Sequence, residues 1–425
     1  MELYLGIDFG TSGARAIAID ESGKIYAQTS YKWETEAASL AESWQTALFA
    51  IITQIPTQVR QQVKAIAIDG TSATVLLCDS AGVPLTKPIL YSDAQAVAVI
   101  EKLKTLAPAN HIVISATSSL AKLLWWLQCS DIVSGNSTYF LHQADWLAFL
   151  LHGKLGISDY HNALKLGYDP EKLCYPDWIY QIENLPNLPE IVEPGTPIGE
   201  VMNATSLGLP RDCIVCMGTT DSIAAFLAAG ARTPGEAVTS LGSTLVLKLL
   251  SRVRVDDARY GIYSHRLGNL WLTGGASNTG GAVLRQFFTD EQLAKLSEKI
   301  SAEQESRFDY YPLIKPGERF PINDANLLPR LSPRPADDVE FLHGLLESIA
   351  RIEARGYQLL QELGATQLTK VYTAGGGAKN PAWNAIRQRI LKVPVEKSSH
   401  TEAAYGTALL AMRGIKKNSI SLPIL

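Results

Sequence analysis

The sequence lacks the features that mark several large protein classes. Its 425 residues include five scattered cysteines and seven histidines, with neither a disulfide scaffold nor a metal-ligand spacing. The net charge of −4 provides no basic field, which argues against nucleic acid as the main partner. No apolar run is long enough to span a bilayer, and the amino terminus carries no secretion signal. We therefore expect a cytoplasmic or other reducing soluble compartment, with no membrane partner.

One pair of cysteines is closely spaced, Cys213 and Cys216. The pair lies inside an apolar run that ends at Met217, away from the strand–helix junction that a redox pair needs. We interpret both thiols as small buried hydrophobic groups.

Apolar residues are abundant, at 46% against 19% charged residues, which is a normal globular balance. The length favours two domains, 1–230 and 231–425, and a break in the pattern at residues 233–236 marks the start of the second. Strands alternate with helices, such as the helix predicted over 37–55. This alternation predicts an α/β fold with mixed sheets.

A glycine-rich stretch near the start suggests a phosphate site. The apolar run Leu3–Ile7 leads to Asp8 and to Gly10-Thr11-Ser12-Gly13, and a second apolar run follows, which predicts a hairpin. Its glycines let successive N–H groups point into one concavity, and Asp8 offers a carboxylate to the water shell of a metal. By itself, this stretch favours an ordinary hairpin turn.

Similar glycine turns occur later in the chain. AVTSLGSTLVLKLL repeats the pattern of strand, hydroxyl-rich turn and strand, which hints at a duplicated architecture. Further turns are predicted at Gly274–Gly281 and Gly375–Gly377. None of them fits the P-loop or dinucleotide-binding strings, so the usual nucleotide folds are disfavoured. Two hydroxyl-bearing turns, one in each half, are instead suited to polyphosphate.

Asp221 follows a predicted strand (211–217) and a predicted turn (218–222), at the start of an apolar helix. This position favours a helix N-cap. It also suits a general base, since phosphoryl transfer needs one carboxylate to accept the proton of the attacking hydroxyl. The two roles are compatible.

Six segments resemble, in order and spacing, the motifs of the FGGY carbohydrate kinases: GIDFGTSGARA, GTTDSIAAFLAAGA, TSLGSTLVLK, GGASNTGGAVL, AGGGAKNPAWNAI and HTEAAYGTALLA. The resemblance runs from about residue 5 to 412. It implies two RNase H-like domains of the actin, hexokinase and Hsp70 ATPase type, 1–230 for sugar and phosphate and 231–425 for nucleotide, with an inter-domain cleft that closes on ATP and sugar.

The resemblance also implies roles for individual residues. Asp8 would position Mg²⁺ and the phosphoryl group beside Thr11, and Asp221 would activate the sugar hydroxyl, although GTTD replaces a more glycine-rich family segment. The implied ATP-binding residues are Thr11, Ser12, Gly13, Arg15, Gly242, Ser243, Thr244, Gly281, Gly376, Gly377 and Asn380. For Gly375–Gly377, a purely structural strand-to-helix turn is an equal alternative.

The implied sugar site departs further from the family pattern. Asp8 and Asp221 are expected to contact the substrate, together with Ser72 and Asp93. The segment that usually reads Trp-x-Asp-x-Arg has Tyr91, Asp93 and Gln95 here. Gln95 removes a fixed cation and a forked donor, so we expect sugar contacts different from those of the common xylulose and glycerol kinases.

The chain is also shorter than most of the family and resembles its compact branch, which implies D-ribulose as the substrate. We therefore expect an ATP- and Mg²⁺-dependent pentulokinase that forms D-ribulose 5-phosphate. A D-xylulose kinase, a non-kinase ATPase of the same fold and a catalytically weak relative are the alternatives. The oligomeric state is left open.

Overall fold

The computed structural model describes residues 1–33, 39–129 and 137–416. Contacts divide the chain into two compact units. The first contains Met1–Ala228 and the segment that begins at Glu402, and the second contains Ala229–Thr401. Within the described ranges, no helix is both long and apolar enough to cross a membrane.

Strands and helices alternate along the first unit. Its strands are β1 (Leu3–Phe9), β2 (Gly13–Ile19), β3 (Ile25–Lys32), β4 (Val63–Gly70), β5 (Val75–Cys78), β6 (Tyr139–His142), β7 (Ile157–Asp159), β8 (Glu190–Val192), β9 (Pro197–Glu200) and β10 (Ile214–Thr220). Its helices before the boundary are α1 (Leu40–Gln54), α2 (Thr57–Arg60), α3 (Ile100–Leu106), α4 (Ser119–Cys129), α5 (Gln143–His152) and α6 (Tyr160–Ala163). Helix α7 (Asp221–Ala229) ends at the first residue of the second unit. Helix α1 was predicted from residue 37, but residues 37 and 38 lie outside the described part.

Six of these strands form one mixed sheet in the order β3-β2-β1-β4-β10-β9. The first three strands are antiparallel neighbours, whereas β4 and β10 run parallel to β1. Helices α1 and α5 pack on one face, where Trp44, Leu48 and Leu147 lie in the core. Burial of such side chains is the main force that holds the helices to the sheet.

The second unit has its own six-stranded sheet. Its strands are β11 (Glu236–Leu241), β12 (Leu245–Ser251), β13 (Tyr263–Leu267), β14 (Leu270–Ser277), β15 (Lys370–Ala374) and β16 (Val395–Lys397). Its helices are α8 (Gly281–Leu284), α9 (Asp290–Ser297), α10 (Asp338–Glu362) and α11 (Pro381–Leu391). The long helix α10 buries Leu345, Leu346 and Ile349 in the core of this unit.

The two sheets share one topology. In the second unit the order is β13-β14-β12-β11-β15-β16. Within it, β14-β12-β11-β15-β16 repeats the directions of β3-β2-β1-β4-β10, with three antiparallel strands followed by two parallel ones. The duplicated architecture suggested by the two hairpins is therefore confirmed.

The last helix, α12 (Ala403–Lys416), packs in the first unit. A Cβ atom on Gly6 of β1 would collide with the backbone of Ala404, and one on Gly406 would collide with the backbone of Ala224 in α7. The predicted C-terminal domain, 231–425, includes this helix by sequence, whereas its packing assigns it to the first unit. The functional division at 230/231 stays a prediction, and residues 417–425 lie outside the described part.

The turn predicted over 218–222 is wrong, and the turn predicted over 274–281 is shorter than expected. Gly218 belongs to strand β10, and β14 includes Gly274 and extends to Ser277, so only residues 278–280 connect it to α8. A side chain at either position would collide with the backbone of a neighbouring strand, at Ile68 and at Leu247 respectively. These glycines therefore permit close approach of strands rather than a change of chain direction.

The cysteine interpretation is confirmed. Cys213 and Cys216 are free and fully buried. Burial raises the pKa of each thiol to about 12, so neither is a reactive thiolate at neutral pH.

Candidate active site

Three acidic residues lie near one edge of the first sheet. Asp8 is opposite Asp69 on the parallel strand β4, and Asp69 is opposite Thr219 on β10. Asp221 begins α7 directly after β10. The carboxyl ends of parallel strands are where open α/β sheets bind ligands, so these residues stand at a favourable place for chemistry.

Burial favours a proton on the pair of carboxyl groups formed by Asp8 and Asp69. Burial is the main cause that raises the pKa of Asp8, to about 6, while a hydrogen bond with Asp69 lowers it. Burial, followed by the negative charge of Asp8, raises the pKa of Asp69 well above its usual range. A hydrogen bond between two carboxyl groups needs one proton, and Asp69, which is fully buried, is the group that retains it.

A hydroxyl group from α12 completes this pair. Thr407 donates a hydrogen bond to Oδ2 of Asp69. Oδ1 of Asp69 has no hydrogen-bond partner among the described residues. Asp69 is therefore held by α12 through Oδ2 and lies opposite Asp8 on the neighbouring strand.

Sequence reasoning did not single out Asp69. A signal was present, because LYLGID and VKAIAID both read as an apolar run that ends in aspartate. Once the two runs are placed as parallel neighbours, their aspartates must lie side by side.

Asp221 is the first residue of α7. The strand β10 extends to Thr220, so the turn predicted over 218–222 is wrong, because the chain passes directly from strand to helix. Its Oδ1 accepts a hydrogen bond from the backbone N–H of Ser222 at 2.6 Å. Asp221 follows Thr219, which is opposite Asp69, by two residues and so lies at the same end of the sheet as Asp8, and its negative charge contributes to the raised pKa of Asp8.

The predicted phosphate loop is a closed hairpin turn. The N–H of Gly10 donates to the carbonyl of Gly13 at 3.0 Å, and Nε1 of Trp33 donates to the carbonyl of Thr11 at 2.9 Å. Thr11 and Ser12 are exposed at the tip of the turn. Their hydroxyl groups are therefore available to a ligand, while the hydrogen bonds to the carbonyls of Gly13 and Thr11 fix the backbone of the turn.

Arg15, predicted to bind ATP, follows on β2 and is exposed. Its Nη1 lies 2.7 Å from a carboxylate oxygen of Glu402. The positive charge of Arg15 also lowers the pKa of Asp8. Arg15 therefore adds a cation to the side of the sheet that carries Asp8.

The residues predicted to bind the sugar lie in two segments of the chain, one around Ser72 and one around Asp93, which together form the predicted sugar side. In the first, Thr71 is buried, and its N–H and hydroxyl groups lie 3.1 and 3.2 Å from Oε1 of Gln143, whereas Ser72 is half-buried. In the second, Oδ2 of Asp93 accepts the N–H of Leu90 at 2.9 Å. Gln95 is exposed at the start of a short 3₁₀ helix.

In the second unit, three glycine segments meet. The N–H of Gly281 donates to the carbonyl of Gly242 at 2.9 Å, and the N–H of Ala282 donates to Ser243 at 3.1 Å. A Cβ atom on Gly375 would lie 2.7 Å from the carbonyl oxygen of Leu241. The predicted ATP-binding residues of this unit are therefore brought together: Gly242, Ser243, Thr244, Gly281, Gly376, Gly377 and Asn380, whose N–H donates to the carbonyl of Gly377 at 3.1 Å.

Asn380 has a structural role in the same unit. Its Oδ1 accepts the N–H of Trp383 at 3.0 Å and so caps α11, while Nδ2 donates to Ser297 at 2.8 Å. By contrast, Gly376 has open space where a side chain would project. Gly376 therefore offers the flat approach to the backbone that a nucleoside needs, and Asn380 stays a predicted contact of the nucleoside.

The acidic residues suit a magnesium ion that arrives with its substrate. Mg²⁺ prefers oxygen ligands and is usually held by one or two carboxylates together with phosphates and waters. Asp8 and Asp221 supply such carboxylates. Among the described residues, no cluster of three or more His, Cys, Asp or Glu side chains could hold a metal ion. The donor set thus fits Mg²⁺ bound to a nucleotide better than a metal held by the protein alone.

Comparisons with known proteins agree with this arrangement. Residues 3–228 match the N-terminal domain, and residues 237–415 the C-terminal domain, of the FGGY family of carbohydrate kinases. The chain is 24% identical to a xylulose kinase of Staphylococcus epidermidis, over 97% of this chain and 88% of that protein. It is also 24% identical to an L-fuculokinase of Escherichia coli, over 97% of this chain and 93% of that one.

A solved structure shows the same fold. Glycerol kinase from Plasmodium falciparum, solved with ADP, superposes with a TM-score of 0.84 at 18% identity, covering 99% of this chain and 91% of that one. The expected two-domain α/β fold is confirmed. Since the two family domains match nearly all of its length, the chain belongs to the FGGY family of carbohydrate kinases and is an ATP-dependent sugar phosphotransferase.

Proposed function

We propose that this protein phosphorylates the terminal hydroxyl of D-ribulose and forms D-ribulose 5-phosphate. The observation that carries the proposal is the position of Asp221, which begins α7 beside the Asp8–Asp69 pair. A carboxylate held at the end of a strand can accept a proton without moving the backbone.

The chemistry follows from these residues. Asp221 accepts the proton of the sugar hydroxyl as its oxygen forms a bond to the γ-phosphorus and the bond to ADP breaks. Asp8 would hold Mg²⁺. Because Asp69 retains a proton and is neutral, it adds no second negative charge directly beside Asp8. When bound, Mg²⁺ would neutralise charge on the phosphates. Thr11, Ser12 and Gly13 would contact phosphate oxygens.

The nucleoside is assigned to the second unit. Gly242, Ser243 and Thr244 form its hydroxyl-bearing turn, and Gly376 leaves open backbone beside it. Backbone N–H groups in such turns bind phosphates well.

A pentulose as substrate is supported by the xylulose kinases among the relatives, although L-fuculokinase is among them too. D-Ribulose and D-xylulose differ only in configuration at C3. The exposed Gln95 and the half-buried Ser72 distinguish this chain from the common family pattern, which favours a sugar other than D-xylulose.

A panel of D-ribulose, D-xylulose, ribitol, L-fuculose, glycerol and gluconate tests the proposal, with sugar phosphate and ADP both quantified. We expect kcat/KM to be highest for D-ribulose. A higher value for another sugar contradicts the substrate assignment. ADP release without any sugar phosphate would support the non-kinase ATPase instead.

Asp221→Asn tests the base. The variant keeps size and polarity but cannot accept the proton, so we expect kcat to fall by roughly 10²–10⁴-fold while ATP binding is retained. Ser222→Ala, at an exposed neighbouring position, serves as the control. Near-native turnover by Asp221→Asn would exclude Asp221 as the base.

A further inference from the structure

Lys122 is a fully buried cation on α4. Its neighbours on the helix, Leu120, Leu123 and Leu124, lie in an apolar core. The Nζ atom donates to the carbonyl of Ala73 at 2.7 Å and to the carbonyl of Leu90 at 2.6 Å. Burying an ammonium group costs free energy unless it is well paired, so these two bonds account for its place in the core.

The two carbonyl groups belong to the two segments of the predicted sugar side. Ala73 follows Ser72 in the first segment, and Leu90 precedes Asp93 in the second. The same segments are also joined directly, because the hydroxyl of Thr74 accepts the N–H of Tyr91 at 3.0 Å. Lys122 and Thr74 therefore fasten one segment to the other.

The first segment has a strained turn. Ala73 has a φ of +64°, a conformation that residues with a side chain rarely adopt. The N–H of Thr74 donates to the carbonyl of Thr71 at 3.1 Å, which closes the turn, and Lys122 binds the carbonyl of Ala73 itself. These bonds fix the backbone on both sides of Ser72.

The second segment has no cation of its own, since residues 88–95 contain no basic residue. The carbonyl of Leu90 accepts from Lys122 and also from the N–H of Asp93 at 3.0 Å, while the N–H of Leu90 donates to the carboxylate of Asp93. Lys122 thereby places a positive charge beneath the turn that carries Asp93.

We propose that Lys122 is a positioning residue that holds Ser72 and Asp93 in the geometry needed to bind the sugar, and so sets the affinity for the acceptor rather than for ATP. The inference rests on the proposed function, since it takes Ser72 and Asp93 as contacts of the sugar. Lys122 itself does not contact the substrate, because it is fully buried.

Lys122→Met is the first test, because methionine has a similar length and no charge. Kinetics are measured with the sugar that the wild type phosphorylates fastest. We expect kcat/KM for the sugar to fall about 100-fold, mainly through KM, because small misplacement of binding groups has such effects. The KM for ATP should change by less than about twofold, since hairpin 10–13 does not touch Lys122. An unchanged KM for the sugar overturns the inference.

Thr74→Val provides an independent variant. It keeps the buried shape and removes the hydroxyl that binds the N–H of Tyr91 and the hydroxyl of Thr71. We expect the KM for the sugar to rise at least about fivefold, since two hydrogen bonds are lost. The double variant should lose less than the product of the two single losses, because both groups fasten the same segments. Independent effects, or equal changes in the KM values for sugar and ATP, would contradict the proposal.

Leu48→Ala is the matched control for a general loss of stability. It enlarges the core beneath α1 without touching either segment, so both KM values should stay unchanged at a temperature where the protein is folded.

If Lys122→Met does not fold, the KM values of Thr74→Val test the inference instead. If the wild type phosphorylates no sugar at all, the proposed function fails and the inference fails with it. A wild type active on any sugar, with a Lys122→Met variant of equal KM, overturns the inference alone.

Discussion

The proton favoured on the pair Asp8 and Asp69 links the acidic site to pH. Both groups have a pKa that is higher in the folded protein than in the unfolded chain. The folded state therefore binds more protons, and the stability that this adds is fully present below about pH 4 and is lost as pH rises. Asp8 loses its share up to about pH 6, whereas Asp69, which retains the proton of the pair, loses its share at higher pH.

Asp69→Asn is predicted to change this dependence. The amide mimics the protonated carboxyl, donating to Asp8 and accepting from Thr407, but it cannot ionise. We expect the free energy of unfolding to decrease less above pH 6 than in the wild type, because the amide has no proton to lose. Urea unfolding at several pH values measures the difference.

Asp159→Asn is the control, because burial raises the pKa of Asp159 to about 7, and it is not on the strands of the site. Its effect should be centred near that pH and should leave catalysis unchanged. If Asp69→Asn shows the same pH dependence as the wild type above pH 6, Asp69 does not hold the proton.

For single residues, the sequence predicted functional roles better than it predicted which side chains contact each other. Asp8 and Asp221 were recognised by their places after an apolar strand and before an apolar helix, and the structure places them at the same end of the sheet. Asp69 was missed because its meaning depends on which strand lies beside β4. Thr71 is next to Ser72 in the chain, yet its hydrogen bonds are made to the buried Gln143, which no local pattern could reveal.

Among the elements of the second unit, a buried ion pair connects two helices to the sheet. Arg387 of α11 forms two hydrogen bonds to Glu353 of α10, at 2.6 and 2.7 Å, and both side chains are fully buried. The same guanidinium donates to Thr373 on β15 at 2.7 Å, and Glu353 accepts from Thr239 on β11 at 2.6 Å. The pair thus fixes α11, which begins next to Gly376 and Gly377.

Arg387→Met is predicted to destabilise the protein by about 3–5 kcal/mol, because it leaves a buried carboxylate without its partner. The double variant Arg387→Met/Glu353→Leu should recover most of this loss, since two apolar groups leave no charge in the core. Denaturant unfolding measures both. Arg334→Met, which breaks the exposed pair with Asp338, should cost less than about 1 kcal/mol. Equal losses for the buried and exposed pairs would contradict the argument.

The elements show where sequence patterns lose their value. Hairpins β1–β2 and β11–β12 and helix α1 were predicted because alternation and helical spacing are local properties. Gly218 and Gly274 were misjudged as turn residues, because the reason for each glycine is a neighbouring strand. The sequence likewise did not show that α12 packs in the first unit, because the apolar residues of a helix do not indicate which sheet the helix covers.

At the scale of the whole molecule, α12 makes the first unit discontinuous in sequence. It packs on the sheet through Gly6 and on α7 through Gly406, and Thr407 reaches the buried Asp69. Without α12, the buried face of β1 is exposed to water and the carboxyl of Asp69 loses its hydroxyl donor. A unit that lacks such a helix loses more apolar contact than the few kcal/mol by which proteins are usually stable.

We therefore predict that residues 1–228 do not fold cooperatively when expressed alone. Residues 229–401 should fold cooperatively, because α10 and α11, which cover the sheet of the second unit, lie within this fragment. Fusing residues 402–416 to the first fragment through a flexible linker should restore a cooperative thermal transition, and the same fusion with Gly406→Leu should not, because a larger side chain there collides with the backbone of α7. Circular dichroism and scanning calorimetry distinguish these cases. A fragment 1–228 that unfolds cooperatively with the stability of the fused form would show that α12 is a peripheral addition, and the division at 230/231 would then hold for folding as well as for sequence.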